Sequence, residues 1–395
     1  FLMPSTSDEY LYLIWDYSTG AAPPPEEFLL DTYTGAAAGY STRKLKTGVT
    51  VAARIRRSGD NIEADVEFDT NNEISLTSPI SNASSGTYTD LADFVDHATT
   101  PRDAFVKEWK DQSGNGNHAT QTSPTSQPKL YDATTGLITE NGKPAANFDG
   151  TNSYFDVPST QWTDGQMMAS VVLTGTTLDD TYWVDSNNTT FRMFNGGSEH
   201  KFIAWPLTPI VISKGSSMAS GQLLVTGRIG TTSQGYTLYE NGSSVANTST
   251  YTGTMPSTSL TAYIGQNNNN TQRYGGNMQE LIHWSSNQTS NRTGIEENIN
   301  SNYLIYQPTD QPTSGLLYDY GSATGGTDAA AAYSVRQLSD KAVIALRVRR
   351  DSDDEERNIG FDANGDLDTT AISDFCDTAN GFVTRWWDQS VNGNH

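Results

Sequence analysis

Phe105-Val-Lys-Glu-Trp-Lys-Asp-Gln-Ser-Gly-Asn-Gly-Asn-His118 returns as Phe382-Val-Thr-Arg-Trp-Trp-Asp-Gln-Ser-Val-Asn-Gly-Asn-His395. Phe, Val and Trp suit a pleated, half-buried surface. Asn-Gly supplies the positive φ of a tight turn. Asp, Gln, Asn and His give that turn side chains able to bond nearby backbone. Each copy therefore reads as a strand running into a polar turn. Asp111, Gln112, Asn115, Asn117 and His118 could instead line a ligand pocket, but a self-bonded turn that pins the sheet is the favoured reading. Asp388, Gln389, Asn392, Asn394 and His395 take the same two readings.

The repetition continues upstream. Tyr40-Ser-Thr-Arg-Lys-Leu45 matches Tyr333-Ser-Val-Arg-Gln-Leu338, and Ala53-Arg-Ile-Arg-Arg57 matches Leu346-Arg-Val-Arg-Arg350, both 293 residues later. From Trp109 to Trp386 the offset is 277, so an intervening loop differs in length. Such a spacing far exceeds solenoid periods and marks a duplicated domain. Residues 1–27 read as the end of a preceding domain, with the strand-like Glu9–Tyr17 and a stiff Pro23-Pro24-Pro25 linker. Residues 28–307 read as one full domain, 308–315 as a linker, and 316–395 as the start of a second, truncated copy. The chain begins with Phe and breaks off at the turn, so it is expected to be a piece of a longer polypeptide.

Abundant Gly, Ser, Thr and Asn between short apolar runs favour many strands joined by turns. The expected fold is all-β: an antiparallel sandwich of jelly-roll type with a few short helices. Expected helices cover Gly39–Leu45, Asp90–His97 with Asp90 as cap, and a segment capped by Ser290 or Asn291 with Ile295, Ile299 and Tyr303 on one face. The formal charge of −22 repels phosphate backbones and excludes nucleic acid as an expected partner. No apolar run nears the ~20 residues that span a bilayer, so membrane insertion is not expected. Cys376 is the one cysteine, which rules out an internal disulfide, and it reads as a buried helix residue.

Asn147-Phe-Asp-Gly-Thr-Asn-Ser-Tyr-Phe155, Ile264-Gly265, Gly276–Trp284 and Ile295–Tyr303 together resemble the concanavalin A-like, laminin-G-type sandwich. The Arg-rich strand, Gly381-Phe-Val-Thr384 and Asp111-Gln-Ser-Gly-Asn-Gly-Asn-His-Ala-Thr-Gln121 resemble the catalytic-domain family of arabinofuranosidase B. That resemblance implies a retaining glycosidase, which needs two carboxyl groups roughly 5 Å apart. In the family the acid is an Asp just after the Ile-Gly strand end. Here that place reads Gln266-Asn-Asn-Asn-Asn270, and an amide cannot donate the proton. Glu199 and Asp185 are the nearest nucleophile candidates. The expectation is therefore a binding protein with no catalytic residues.

Trp183, Trp205, Tyr274, Gln266, Asn267 and Asn268 are the candidate sugar platform: aromatic faces stack on sugars while amides bond hydroxyls. Asp362-Ala-Asn-Gly-Asp-Leu-Asp368 alternates oxygen ligands as calcium loops do, yet lacks their glycine and distal Glu; an Asp/Asn hairpin turn is expected, with no cofactor beyond a possible calcium ion. Such domains are familiar in bacteriophage tails, fibres and capsid decorations. The leading expectation is a virion structural protein, exposed on the particle, that contacts other virion proteins and binds a host-surface glycan multivalently, with a homotrimer as the favoured oligomer. An extracellular arabinofuranosidase-type hydrolase and a bacterial surface adhesin are the alternatives.

Overall fold

The computed structural model describes residues 28–161, 166–175, 181–185, 191–195, 200–204, 210–215, 221–231, 233–248, 259–267, 272–308, 314–319 and 329–395. The first repeat is an antiparallel sandwich of two layers, as its composition and turns predict. At the centre of one layer lies the strand Gly275–Trp284. It pairs with Ala36–Ser41 and Ala146–Asp149 on one side and with Met167–Gly175 on the other. Gly221–Ile229, Tyr236–Glu240 and Ser243–Thr248 extend the layer outward. The Asn241-Gly242 hairpin has both residues at positive φ, 49° and 78°, as a tight turn of this composition requires.

The opposing layer runs from Glu63–Glu67 through Val51–Arg57 and Ala104–Trp109 to Phe155–Gln161, Ser259–Ile264 and Thr181–Asp185. The short strand Lys129–Asp132 pairs with a strand of each layer and ties them along one edge. Alternation then decides what faces what. Val171, Leu173 and Leu281 point into the core between the layers, with Trp109, Phe148 and Phe155. Their neighbours Val172, Ile282 and Trp284 point backward, where the helix Arg292–Tyr303 covers them with Ile295, Ile299 and Tyr303. A left-handed Leu304 (φ 51°) ends that helix.

The segment Gly39–Leu45 is not a helix, contrary to expectation. Ala36–Ser41 is a strand, because Tyr40 pairs with Leu281 and Ser41 with Glu280 in the central ladder. The counterpart residues 329–338 carry no helix either. Leu91–Phe94 does form one helical turn, with the Asp90 carboxylate accepting from the Asp93 N–H. Residues 1–27 lie outside the described residues.

The repeated motif is a self-bonded turn docked on the first strand. The Asp111 carboxylate accepts four hydrogen bonds, from Gly39 N (2.9 Å), Ser113 N (2.9 Å), Ser113 Oγ (2.8 Å) and Asn117 N (3.0 Å). Gln112 is wholly buried; its Oε1 accepts from Leu45 N and its Nε2 donates to the carbonyls of Ser41 and Arg43. Asn115 and Asn117 donate to the Ala37 carbonyl, and His118 Nδ1 accepts from Asp111 N. The second repeat makes the same bonds. Asp388 accepts from Ala332 N, Ser390 N, Ser390 Oγ and Asn394 N, and Gln389 bonds Leu338, Ser334 and Arg336. Burial works against the Asp388 charge, but the N–H donors of Ser390 and Ala332 outweigh it and hold its pKa below the usual carboxylate value.

The second repeat otherwise comprises a three-stranded sheet, Leu346–Arg350 between Glu356–Ile359 and Gly381–Trp386, with the helix Thr369–Cys376 packed on it. Cys376 is buried there beside Phe375. In the acidic turn, Asp362 Oδ1 accepts from the N–H groups of Asn364 (2.8 Å) and Asp366 (3.0 Å). Among the described residues no three His, Cys, Asp or Glu side chains gather as a metal site would need. No helix among them is long and apolar enough to cross a membrane.

Two predictions test these bonds. Asp111→Asn turns acceptor oxygen into donor nitrogen against N–H groups, so it is expected to cost about 2–4 kcal/mol of stability, read as a lowered urea midpoint. Glu280 is fully buried and takes two bonds from Arg43 (2.8 and 3.1 Å) and one from Ser41 Oγ (2.8 Å). Glu280→Gln leaves that guanidinium without its counter-charge, and a loss of about 3–5 kcal/mol is expected in the same measurement.

Candidate functional site

The strands Phe155–Gln161 and Ser259–Ile264 lie side by side with Phe155 opposite Ile264, Asp156 opposite Tyr263 and Val157 opposite Ala262. The apolar members of these pairs are buried in the core. Strict alternation therefore turns Asp156 and Tyr263 outward together. Tyr154 meets Tyr263 edge-on, with ring centroids 6.3 Å apart. The guanidinium of Arg273 lies 5.1 Å over the Tyr154 ring and donates to the Asn152 carbonyl at 3.1 Å. The Arg273 backbone forms a β-bridge with Gln266, whose buried Oε1 has no hydrogen-bond partner among the described residues. The result is a shelf of two tyrosines, a cation, an amide and a carboxyl group at the end of the Ile264-Gly265 strand.

Burial raises the pKa of Asp156 above the ordinary carboxylate value. Tyr263 is pushed up by burial first, then by the charges of Asp156 and Tyr154. A carboxyl group that holds its proton to higher pH can donate to a leaving-group oxygen, while tyrosine faces can stack on a sugar ring. A retaining mechanism needs two carboxyls, and the outward face of this strand pair supplies Asp156 as one of them.

The expected site residues fall unevenly around this shelf. Gln266 and Asn267 sit at its rim, both buried. Asn267 is taken up by its own loop, donating from Nδ2 to Gln272 Oε1 at 3.2 Å and accepting from Gln272 N at 3.3 Å. Tyr274 does not belong to a sugar platform: it is fully buried, its ring packs edge-on against Phe148, and its hydroxyl bonds the Asn277 and Thr174 carbonyls. The backbone of Trp183 pairs with Ile264 and that of Asp185 with Ala262, which places both on the strand next to the shelf. Trp205, Asn268 and Glu199 lie outside the described residues. The turn residues Asp111, Gln112, Asn115, Asn117 and His118 are spent on backbone bonds, as described above.

Tyr154, Asp156, Tyr263 and Arg273 escaped the sequence reading. Their signal is a register: only when Asp156 stands opposite Tyr263 do the four converge. Three arginines of the repeated strand are paired with acids, Arg54 with Glu63 and Asp65, Arg347 with Glu356 and Arg349 with Asp354. Arg56 instead bonds Gln127, Asn61 and the Pro124 carbonyl.

Residues 318–395 match the family described as alpha-L-arabinofuranosidase B, catalytic. Among solved structures, an arabinofuranosidase complexed with arabinofuranosyl-alpha-1,2-xylobiose is similar at 15% identity and a TM-score of 0.48, over 73% of this chain and 67% of that one. A GH54 α-L-arabinofuranosidase soaked with a cyclic sulfate inhibitor is similar at 15% identity and a TM-score of 0.47, over 84% and 71%. Domain 4 of AbnA, a GH43 extracellular arabinanase from Geobacillus stearothermophilus, reaches 14% identity and 0.37, over 47% and 92%. No curated protein matches. These findings correct the leading expectation. The matched family is that of a glycosidase catalytic domain, and nothing among the similar proteins points to a virion, a bacteriophage or a fibre.

Asp156 yields a pH prediction. A carboxyl group whose pKa is higher folded than unfolded loses stability as pH rises from the unfolded value through the folded one. Between about pH 3.5 and 7, the urea midpoint of the wild type is expected to fall relative to that of Asp156→Asn. A constant difference between the two across this range would contradict the shift.

Proposed function

We propose that the chain is a glycoside hydrolase of arabinofuranosidase type, directed at arabinofuranosyl groups on a polysaccharide, with the Asp156 shelf as its sugar-binding and proton-donating surface. The supporting observation is the family match of the second repeat, together with the way the first repeat duplicates it. The turn of the matched segment bonds its first strand through Asp388 and Gln389, and Asp111 and Gln112 make the corresponding bonds 277 residues earlier. The likeness thus reaches the repeat that carries the full sandwich.

In this reading the amides at Gln266 and Asn267 hold the rim of the site, and the acid comes from the adjacent strand. Tyr154 and Tyr263 offer ring faces to the sugar, and Arg273 fixes the first of these faces. Desolvation raises the pKa of Asp156 above the ordinary carboxylate value, the direction that favours a proton donor. Protonation of the glycosidic oxygen by Asp156 releases the aglycone as a second carboxylate bonds the anomeric carbon; water, giving its proton to the Asp156 carboxylate, then displaces that carboxylate and frees the arabinose.

The decisive assay uses the full chain with 4-nitrophenyl α-L-arabinofuranoside and with arabinofuranosyl-substituted xylobiose. Release of nitrophenol and arabinose is expected. Asp156→Asn is expected to lower kcat by about 10²–10⁴-fold with little change in KM. Absence of turnover on both substrates would overturn the proposal, and so would an Asp156→Asn variant of unchanged kcat.

A further inference from the structure

The two repeats meet along a polar seam. Asn358 donates its N–H to Asn141 Oδ1 (2.7 Å) and its Nδ2 to the Leu304 carbonyl (2.9 Å), while Gln307 Oε1 accepts from Val343 N and Ile344 N. A cavity of about 290 Å³ opens in this seam. Lys143 and Asn302 reach it from the first repeat, and Phe361, Asp362, Asp368 and Arg357 from the second.

Most polar groups on its wall are already engaged. Lys143 pairs with Glu73, Asp362 accepts two N–H groups of its own turn, and Asp368 accepts from Ala371 N at the start of a helix. Two donors are not. The Arg357 guanidinium makes no hydrogen bond or close ion pair among the described residues; burial disfavours its charge, and the carboxylates of Glu73, Asp374 and Asp368 offset this only in part and from a distance. Asn302 Nδ2 is buried and has no acceptor among the described residues. A half-buried guanidinium and a buried amide left without acceptors are costly unless an anionic oxygen reaches both.

From this convergence we infer that the seam cavity binds the carboxylate of a hexuronate, a sugar acid carried singly or at the end of an acidic oligosaccharide. The carboxylate meets Arg357 and Asn302, and the Phe361 ring offers an apolar face for the sugar C–H groups. Asp362 and Asp368 on the same wall set the charge limit. They tolerate one negative charge held by the guanidinium and penalise the two of a phosphate. The cavity volume suits a monosaccharide unit. This site is separate from the Asp156 shelf and does not depend on hydrolysis there.

The test is calorimetric titration of the full chain with D-glucuronate and D-galacturonate, with galactose and inorganic phosphate as comparison ligands. Binding of at least one uronate is expected, about tenfold or more tighter than either comparison ligand. Arg357→Gln is expected to weaken it at least tenfold, with folding checked by the urea midpoint because the side chain packs on Gly142 across the seam. Should that variant fail to fold, Arg357→Lys keeps the charge without the forked donors and is expected to weaken binding as well. Asp156→Asn is expected to bind uronate like the wild type. Failure of both uronates to bind, phosphate or galactose binding equally well, or uronate affinity that survives loss of the Arg357 fork would each overturn the assignment.

Discussion

Everything in the first repeat is hung on a carboxylate and an amide that grip the backbone of one strand. Ala36–Ser41 is the outer neighbour of the central strand, and its other edge would present unpaired carbonyls and N–H groups. Asp111 and Gln112 close that edge with side chains. Asp111 takes the N–H of Gly39, and Gln112 takes the carbonyls of Ser41 and Arg43 while accepting from Leu45 N. The backbone joins in, with Gln112 N donating to the Gly39 carbonyl at 2.7 Å. A turn thereby does what another strand would do, and it does so without lengthening the sheet. The strand is then free to run straight into Arg43, whose guanidinium holds Glu280 on the central strand.

That ion pair shows how the layer and its helix are locked together. Glu280 is buried, and its charge is met by Arg43, Ser41 and the Tyr303 hydroxyl, the last from the end of the covering helix. Burial works against the Arg43 charge, but Glu280 more than compensates, so the guanidinium is held more firmly charged than in water. A buried pair of this kind adds little net stability over an apolar one, yet it fixes which groups must meet. Strand, central strand and helix have one mutual position in which all these bonds form. The Asp156 shelf inherits that rigidity through the core, where Trp109 touches Phe155 at 6.1 Å between ring centroids, one residue from the acid.

Local chemistry was readable in the sequence and non-local chemistry was not. The turn declared itself because its Asp, Asn and Gly residues act within a few positions of one another. The Asn241-Gly242 hairpin and the Ile295, Ile299 and Tyr303 face were readable for the same reason. Gly39–Leu45 misled because its helical preference was overridden by pairing with residues more than 200 positions away. Tyr274 misled differently: an aromatic beside an amide-rich loop looks exposed, but its hydroxyl finds two carbonyls and the ring sinks into the core. Asp156 was passed over because a lone acid in an Asn- and Asp-rich stretch carries no mark. Only the facing Tyr263, which the ladder supplies, gives it a neighbourhood.

The duplication shows the same polar ties under two different sets of apolar neighbours. In the first repeat Tyr40, Val106 and Trp109 are buried under the sandwich, exposed by 0%, 2% and 2%. Their counterparts Tyr333, Val383 and Trp386 are 47%, 55% and 44% exposed. The apolar cover is thus very different, yet the bonds of Asp388 and Gln389 reproduce those of Asp111 and Gln112 partner for partner. The neighbouring arginine repeats too: Arg57 donates to the Phe94 carbonyl and pairs with Asp60, and Arg350 donates to the Phe375 carbonyl and pairs with Asp353. The strand, the turn and the arginine that follows thus keep one set of polar ties in both repeats, whatever apolar residues lie over them.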